Sequence, residues 1–232
     1  MDYFQLGSGA PLVNAFKGWV DKGYRQFLSS GYNGTGFHSW RFWARGDKKG
    51  HIACGIGRDS SDGLGRPYPF LSIGIGSLPG WEDQWNLLPC ALEELWGSIE
   101  YFAAKRHKDF KAVKEGLQLL KPPAARWSDW EMSESATRRG GAVGEGDARD
   151  AVIRELESGA DRLKQQGNLF VKLEAKTLQD QMALINLWHF RLRSELGAVP
   201  NAVFVGGGPN QAYLAFFTRA LASADFVRLW SV

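Results

Sequence analysis

The residues with the widest chemical capacity lie between positions 38 and 69. Ser60-Ser61-Asp62-Gly63-Leu64-Gly65-Arg66-Pro67-Tyr68-Pro69 puts hydroxyls, a carboxylate and a guanidinium on one short segment, and His38 and His51 lie shortly before it. Two kinds of chemistry fit. In a hydrolase, Ser60 would be the nucleophile, His38 or His51 its base, and Asp62 the orienting acid, all brought together in space. No G-x-S-x-G elbow marks such a nucleophile. In a binding protein the same residues form a loop. Asp62 and Arg66 stand four apart, close enough to pair across a turn, while the glycines permit special backbone angles and Tyr68-Pro69 stiffens the entry to the next strand. That loop is either simply fastened by its ion pair or projects Arg66 for recognition.

The remaining candidates read as structure. Gly74-Ile75-Gly76-Ser77-Leu78-Pro79-Gly80 has Pro79 where a dinucleotide loop needs its third glycine, so it is a turn rather than a phosphate cradle. Gly206-Gly207-Gly208 lacks the Lys-Ser/Thr of a P-loop and reads as a strand end requiring positive φ. His189, beside Trp188 on an apolar stripe, reads as a structural histidine, and Glu93-Glu94 as a solvated helix face. Lys105-Arg106-His107-Lys108 reads as the break between two helices. Cys54 and Cys90 fit free thiols in a reducing compartment better than a disulfide. Four scattered histidines and two cysteines show no metal-ligand spacing, and no cofactor is expected.

Periodicity supplies the elements that would position these residues. Leu12, Phe16, Trp19, Val20 and Phe27 share one face of a helix that Pro11 can start and Gly31 can stop. Residues 39–45 alternate, with Trp40, Phe42 and Ala44 on one face, and Gly46–Gly50 turns the chain into a second strand at 51–56. A third strand spans 69–75, where small Ser72 and Gly74 predict a helix packed closely on their face. Helical spacing returns from Leu88 to Leu120 and stops at Pro122-Pro123. Beyond it come a helix ending at Gly167, a strand at 169–173 and a helix over 178–196 opened by Thr177 and Asp180. A strand at 203–205, a helix from Tyr213 to Leu221 and a last strand at 226–230 complete the pattern. The fold class is therefore mixed α/β, a partly antiparallel sheet covered by helices. Residues 1–121 are expected to form an N-terminal core, 122–147 a flexible loop, and 148–232 a second α/β half packed into the same domain.

The chain has 232 residues with 28 Lys and Arg against 25 Asp and Glu, a net charge of +3 that does not mark a polyanion binder. No apolar run is long enough for a membrane span, and the start Met1-Asp2-Tyr3-Phe4 is unlike a signal peptide. The unusual count is 10 tryptophans. Trp19, Trp40, Trp96, Trp188 and Trp230 fall on apolar stripes and belong to packing. Trp43, Trp81, Trp127 and Trp130 fall off them and are candidates for exposed partner anchors. A purely structural dimer, with those tryptophans buried between copies, is an alternative.

Trp40-Arg41-Phe42, Gly55 and Ser60-x-Asp62-x-x-Gly65-Arg66-x-Tyr68-Pro69 together resemble the pattern of the TagF family, also called ImpM, accessory proteins of bacterial type VI secretion. The likeness is specific over about residues 1–105. Asp2-Tyr3 and Trp19 occupy further family positions, and Phe204-Val205-Gly206 matches in part. The family's first strand with its G-K-[LI]-P does not precede Asp2-Tyr3 here, so either that strand is missing or this start is short, and Asp59 replaces the usual Pro or Ser. The resemblance implies a longin-like α/β fold and a cytoplasmic, non-enzymatic repressor of secretion assembly. The implied partners are the forkhead-associated-domain scaffold of that system and, in some relatives, a PP2C-type phosphatase. It implies no catalytic residues.

Overall fold

The computed structural model describes residues 9–31, 37–61, 64–105, 108–132, 147–175 and 177–232, with the side chains of 147–153 outside that description. The chain runs α1 (Pro11–Ser29), β1 (Ser39–Arg45), β2 (His51–Ser61), β3 (Pro67–Ser77), a 3-10 turn (Trp85–Leu87), α2 (Leu88–Ala104) and α3 (Phe110–Gln118). A short helix α4 covers 127–132. Then come α5 (Asp147–Gln166), β4 (Asn168–Leu173), α6 (Leu178–Glu195), β5 (Ala202–Gly208), β6 (Gln211–Phe217) and α7 (Ser223–Leu229). The strands form one six-stranded sheet in the order β3-β2-β1-β5-β6-β4. Every pairing among the described strands is antiparallel. The mixed α/β class stands as read from the sequence.

Side chains alternate between two cores because a strand has a period of two. Trp40, Phe42, Ala53, Phe204, Ala215 and Phe217 meet α1 and α7 through Phe16, Trp19, Phe226 and Trp230. Trp43, Ile52, Ile56, Val203, Leu214 and Phe216 meet α2, α5 and α6 through Leu92, Trp96, Leu163 and Trp188. The result is a sheet buried between two helical layers. α1 starts with Pro11 at its first position, where the missing N–H costs nothing. The Thr177 side chain accepts the Asp180 N–H and caps α6.

Three readings are corrected. Residues 211–217 form strand β6, not a helix. With Leu214 and Phe216 facing one core and Ala215 and Phe217 the other, no polar alternation shows. Residues 223–229 form helix α7, not a strand. Asp225 accepts the Ala222 N–H at 2.7 Å and takes two Arg219 N–H groups at 2.6 and 2.8 Å, which anchors the helix start. Finally, no helix among the described residues covers Ser72 and Gly74. A Cβ on Gly74 would meet only the Cys54 carbonyl, at 3.8 Å. The large residues of β3, Leu71, Ile73 and Ile75, are the ones that pack, against the α1 side.

The glycine reading at 206–207 holds: φ is 151° and 145°. Strands from both sides of 122–147 share the one sheet. The centre of that segment, 133–146, lies outside the described residues. Neither Cys54 nor Cys90 is in a disulfide, and burial pushes the Cys54 thiol up to about 12. No helix among the described residues is long and apolar enough to cross a membrane.

Candidate functional site

The motif residues converge on β1, β2 and the hairpin that joins β2 to β3. Trp40 and Phe42 point into the α1 core, so Arg41 between them points to the α2 side. There it meets two glutamates seven residues apart on α2, hence two turns along one helix face. Arg41 Nη1 donates to both carboxylate oxygens of Glu93, at 2.9 and 2.8 Å. Its Nε and Nη2 donate to Glu100, at 2.7 and 2.8 Å. The guanidinium lies 5.8 Å from the ring centre of Trp96, whose indole N–H donates to the Phe42 carbonyl. Hydrogen bonding to Glu100 outweighs partial burial and raises the Arg41 pKa above its ordinary value, with the Glu93 charge adding to it. Glu93 is therefore a structural anchor as well as a partly solvated position, which amends that reading. Glu94 is exposed.

This clamp holds β1 to α2, and its two carboxylates offset the charge with which Arg41 would attract an external anion. Arg41→Met is expected to lower unfolding stability by about 2 kcal/mol in urea titration. The value sits below the range for fully buried pairs because the glutamates are partly hydrated. Arg41→Lys is expected to recover less than half of the loss, since an ammonium cannot make the two forked pairs.

A second network ties the far end of the sheet. Asp59 accepts from the His38 backbone N–H at 2.8 Å, the His38 ring Nδ1 at 3.0 Å and the Trp230 indole N–H at 2.7 Å. His38 Nε2 lies 3.1 Å from the Val232 carbonyl. Burial pushes the Asp59 carboxyl up, but the hydrogen bonds from His38 and Trp230 outweigh it and hold the group below the usual carboxylate range. The sequence shows Asp59 only as a departure from the family pattern, because its partners are 21 and 171 positions away and leave no local pattern.

Both His38 nitrogens are thus engaged, and neither meets Ser60. His51 Nδ1 lies 3.7 Å from Asp47, at the opposite end of β2 from Ser60. The serine–histidine pair that the hydrolase reading needs is not assembled, and Asp62 lies outside the described residues. Ser60 is half-buried and faces Tyr68 across the β2–β3 ladder. Gly65 has φ 76° in the turn that closes the hairpin. Arg66 is exposed, as is Leu64 at 80%. Nearby, Phe37 is 48% exposed with the Arg58 guanidinium 4.9 Å over its ring.

The tryptophan candidates divide. Trp43 and Trp81 are fully buried, in edge-to-face contact 5.9 Å apart, so neither can anchor a partner. The side of β1 opposite Trp40 is a second core, not an outer surface. Trp127 and Trp130 are half-buried on α4. The Trp127 indole donates to the Pro79 carbonyl at 2.9 Å, and Arg126 lies over Trp130 at 5.5 Å. Trp19, Trp40, Trp96, Trp188 and Trp230 are buried as expected.

These features define a mixed α/β protein whose motif residues mostly brace the sheet and reach the surface at one hairpin. No protein-family profile matches the chain, and no curated protein matches it. Among solved structures it is similar to PA0076 from Pseudomonas aeruginosa PAO1, with a TM-score of 0.54 and 16% identity. The match covers 100% of this chain and 90% of that one. At this identity the likeness is one of fold.

Proposed function

We propose that this chain is a regulatory binding protein of bacterial type VI secretion, of the TagF kind. It acts in the cytoplasm by occupying the forkhead-associated-domain scaffold and withholding it from assembly, and a PP2C-type phosphatase is a further candidate partner. The observation that carries the reading is how the motif divides. Trp40, Arg41, Phe42 and Gly55 are spent on the sheet, whereas Gly65 and Arg66 sit exposed at the hairpin end. Arg66 is of a residue type enriched at interaction hot spots, and exposed Leu64 beside it adds apolar area.

The test is a pull-down with the purified scaffold. Arg66→Ala and Leu64→Asp are each expected to weaken capture at least about tenfold, the scale of a single hot-spot residue, with the thermal midpoint unchanged. Unchanged capture by folded variants would refute the assignment of this surface. Trp43→Ala is unsuitable as a probe, because it would open a cavity in the core.

A further inference from the structure

Helix α3 is held to the protein differently from its neighbours. α1, α2, α5, α6 and α7 each bury several residues, whereas no residue of α3 is buried. Phe110, Val113 and Leu117 have the i, i+3, i+7 spacing of an apolar stripe, yet that stripe does not close over the core. A Cβ on Gly116 would lie 2.6 Å from the Phe102 ring, so the helix rests on the end of α2 by that side. Val113 and Leu117 are half-buried, and Phe110 is 53% exposed. At about 3.6 residues per turn, Phe110, Lys111, Lys114 and Gln118 fall within roughly 100° of one another. All four are exposed.

The charge of this region is one-sided. Residues 105–121 hold six Lys and Arg against Asp109 and Glu115, a net of +4, so the rest of the chain of net charge +3 carries −1. Asp109 caps α3 by accepting the Ala112 N–H at 2.8 Å. Glu115 lies 3.8 Å from Lys111. Lys105, Lys108, Lys114 and Lys121 are exposed, with no carboxylate partner among the described residues. The Lys105 ammonium sits 4.0 Å over the ring of Tyr101, which is itself exposed.

We propose that α3 and its flanking lysines dock the protein on the surface of an anionic phospholipid bilayer. Lipid phosphates would meet Lys105, Lys108, Lys111, Lys114 and Lys121, and Phe110 would enter the headgroup layer. Charge complementarity selects the sign of the partner, since the lysines outnumber the local carboxylates and one of those is spent on the helix cap. Shape selects its form. A protein that binds an amphipathic helix wraps the apolar stripe in a groove, and the packing of α3 on Phe102 prevents that. A flat layer of headgroups reaches the outer flank without wrapping it, and a fluid layer admits Phe110 without a preformed pocket. Lysine stems can also lie along the apolar boundary while their ammonium groups stay with the phosphates. The proposal uses none of the hairpin residues assigned to the scaffold.

Vesicle co-sedimentation of the full chain tests it. At about 1 mM lipid, the chain is expected to bind vesicles of phosphatidylglycerol and phosphatidylcholine mixed roughly 1:2, and not phosphatidylcholine alone. Binding is expected to be lost near 1 M salt, where the Debye length is about 3 Å. The double variant Lys111→Gln/Lys114→Gln is expected to bind at least about tenfold more weakly, and Phe110→Ser at least about threefold more weakly, each with the thermal midpoint unchanged. Lys48→Gln/Lys49→Gln removes the same charge from the exposed β1–β2 turn and is expected to bind as the wild type does. No binding to the anionic vesicles, equal binding to neutral ones, equal losses in the two lysine pairs, or indifference to Phe110→Ser would each overturn the proposal. That last result, together with displacement by polyglutamate, would reassign the surface to an acidic protein.

Discussion

Gly55→Ala is expected to cost at least about 3 kcal/mol, the range of severe core or backbone disruption, and to leave much of the protein unfolded at 37 °C. Gly55 sits in the middle of β2, opposite Ile73 on β3 and Phe42 on β1. A Cβ there would be driven into the carbonyl oxygen of Ser72. That obstacle is backbone, held in the ladder, and cannot rotate away as a side chain could. Relief requires the β2–β3 pair to separate, which would disturb Cys54 and Ile56 in one core and Ala53 in the other. The control is Gly76→Ala, one strand away, where a Cβ meets nothing within 4 Å. It is expected to change stability by no more than about 0.5 kcal/mol. Equilibrium urea unfolding measures both, and similar midpoints for the two variants would show that strand propensity, not the Ser72 contact, sets the cost. The result would also explain why a glycine belongs at this motif position without giving it a role in binding.

Acid is expected to destabilise the protein through His189. The ring is fully buried among Trp43, Trp85 and Phe216. Its Nδ1 meets the Ile185 carbonyl at 2.8 Å, and Nε2 has no partner among the described residues. Burial drives its pKa down to about 4, against a weaker upward pull from Ile185. The unfolded chain therefore binds this proton first. Stability is full above the ordinary histidine value of about 6.5 and falls as the pH drops from there to about 4, by about 3 kcal/mol. Below that, both states hold the proton and this source of slope ends. Asp59, also depressed, then adds a loss of the same sign below the usual carboxylate range. His189→Leu is expected to flatten the upper limb and to change stability little at pH 7, because it also removes an unpaired buried acceptor. Unfolding curves at pH 7, 5.5 and 4.5 check this, and an unaltered slope in the variant would assign the acid sensitivity elsewhere.

Much of the local structure is legible in the residue order. The stripe of Phe16, Trp19 and Val20 marks α1, the glycine-flanked turn at 46–50 marks the β1–β2 hairpin, and Thr177 marks the start of α6. Each signal lies within a turn or two of chain, where geometry repeats with a fixed period. Two of the errors share one cause. Trp43 is expected outside because it faces away from Trp40, and β6, read as part of a helix, shows no alternation of polar residues to mark it as a strand. Both expectations treat a strand as having a wet side, and this sheet has none at its centre.

Residue order alone established the α/β class, most element positions, and the need for glycine at 206 and 207. It also placed Arg41 and Trp40 on opposite sides of one strand. Tertiary structure decided what lies on each side. It laid α2 over Arg41 so that Glu93 and Glu100 could clamp it, and drew Trp230 across 171 positions to Asp59. It closed a second core over Trp43 and left β3 at an open edge. The physical reason is that periodicity records how side chains alternate about their own backbone. Burial and charge pairing depend on which distant segment arrives, and that is settled only when the helices pack.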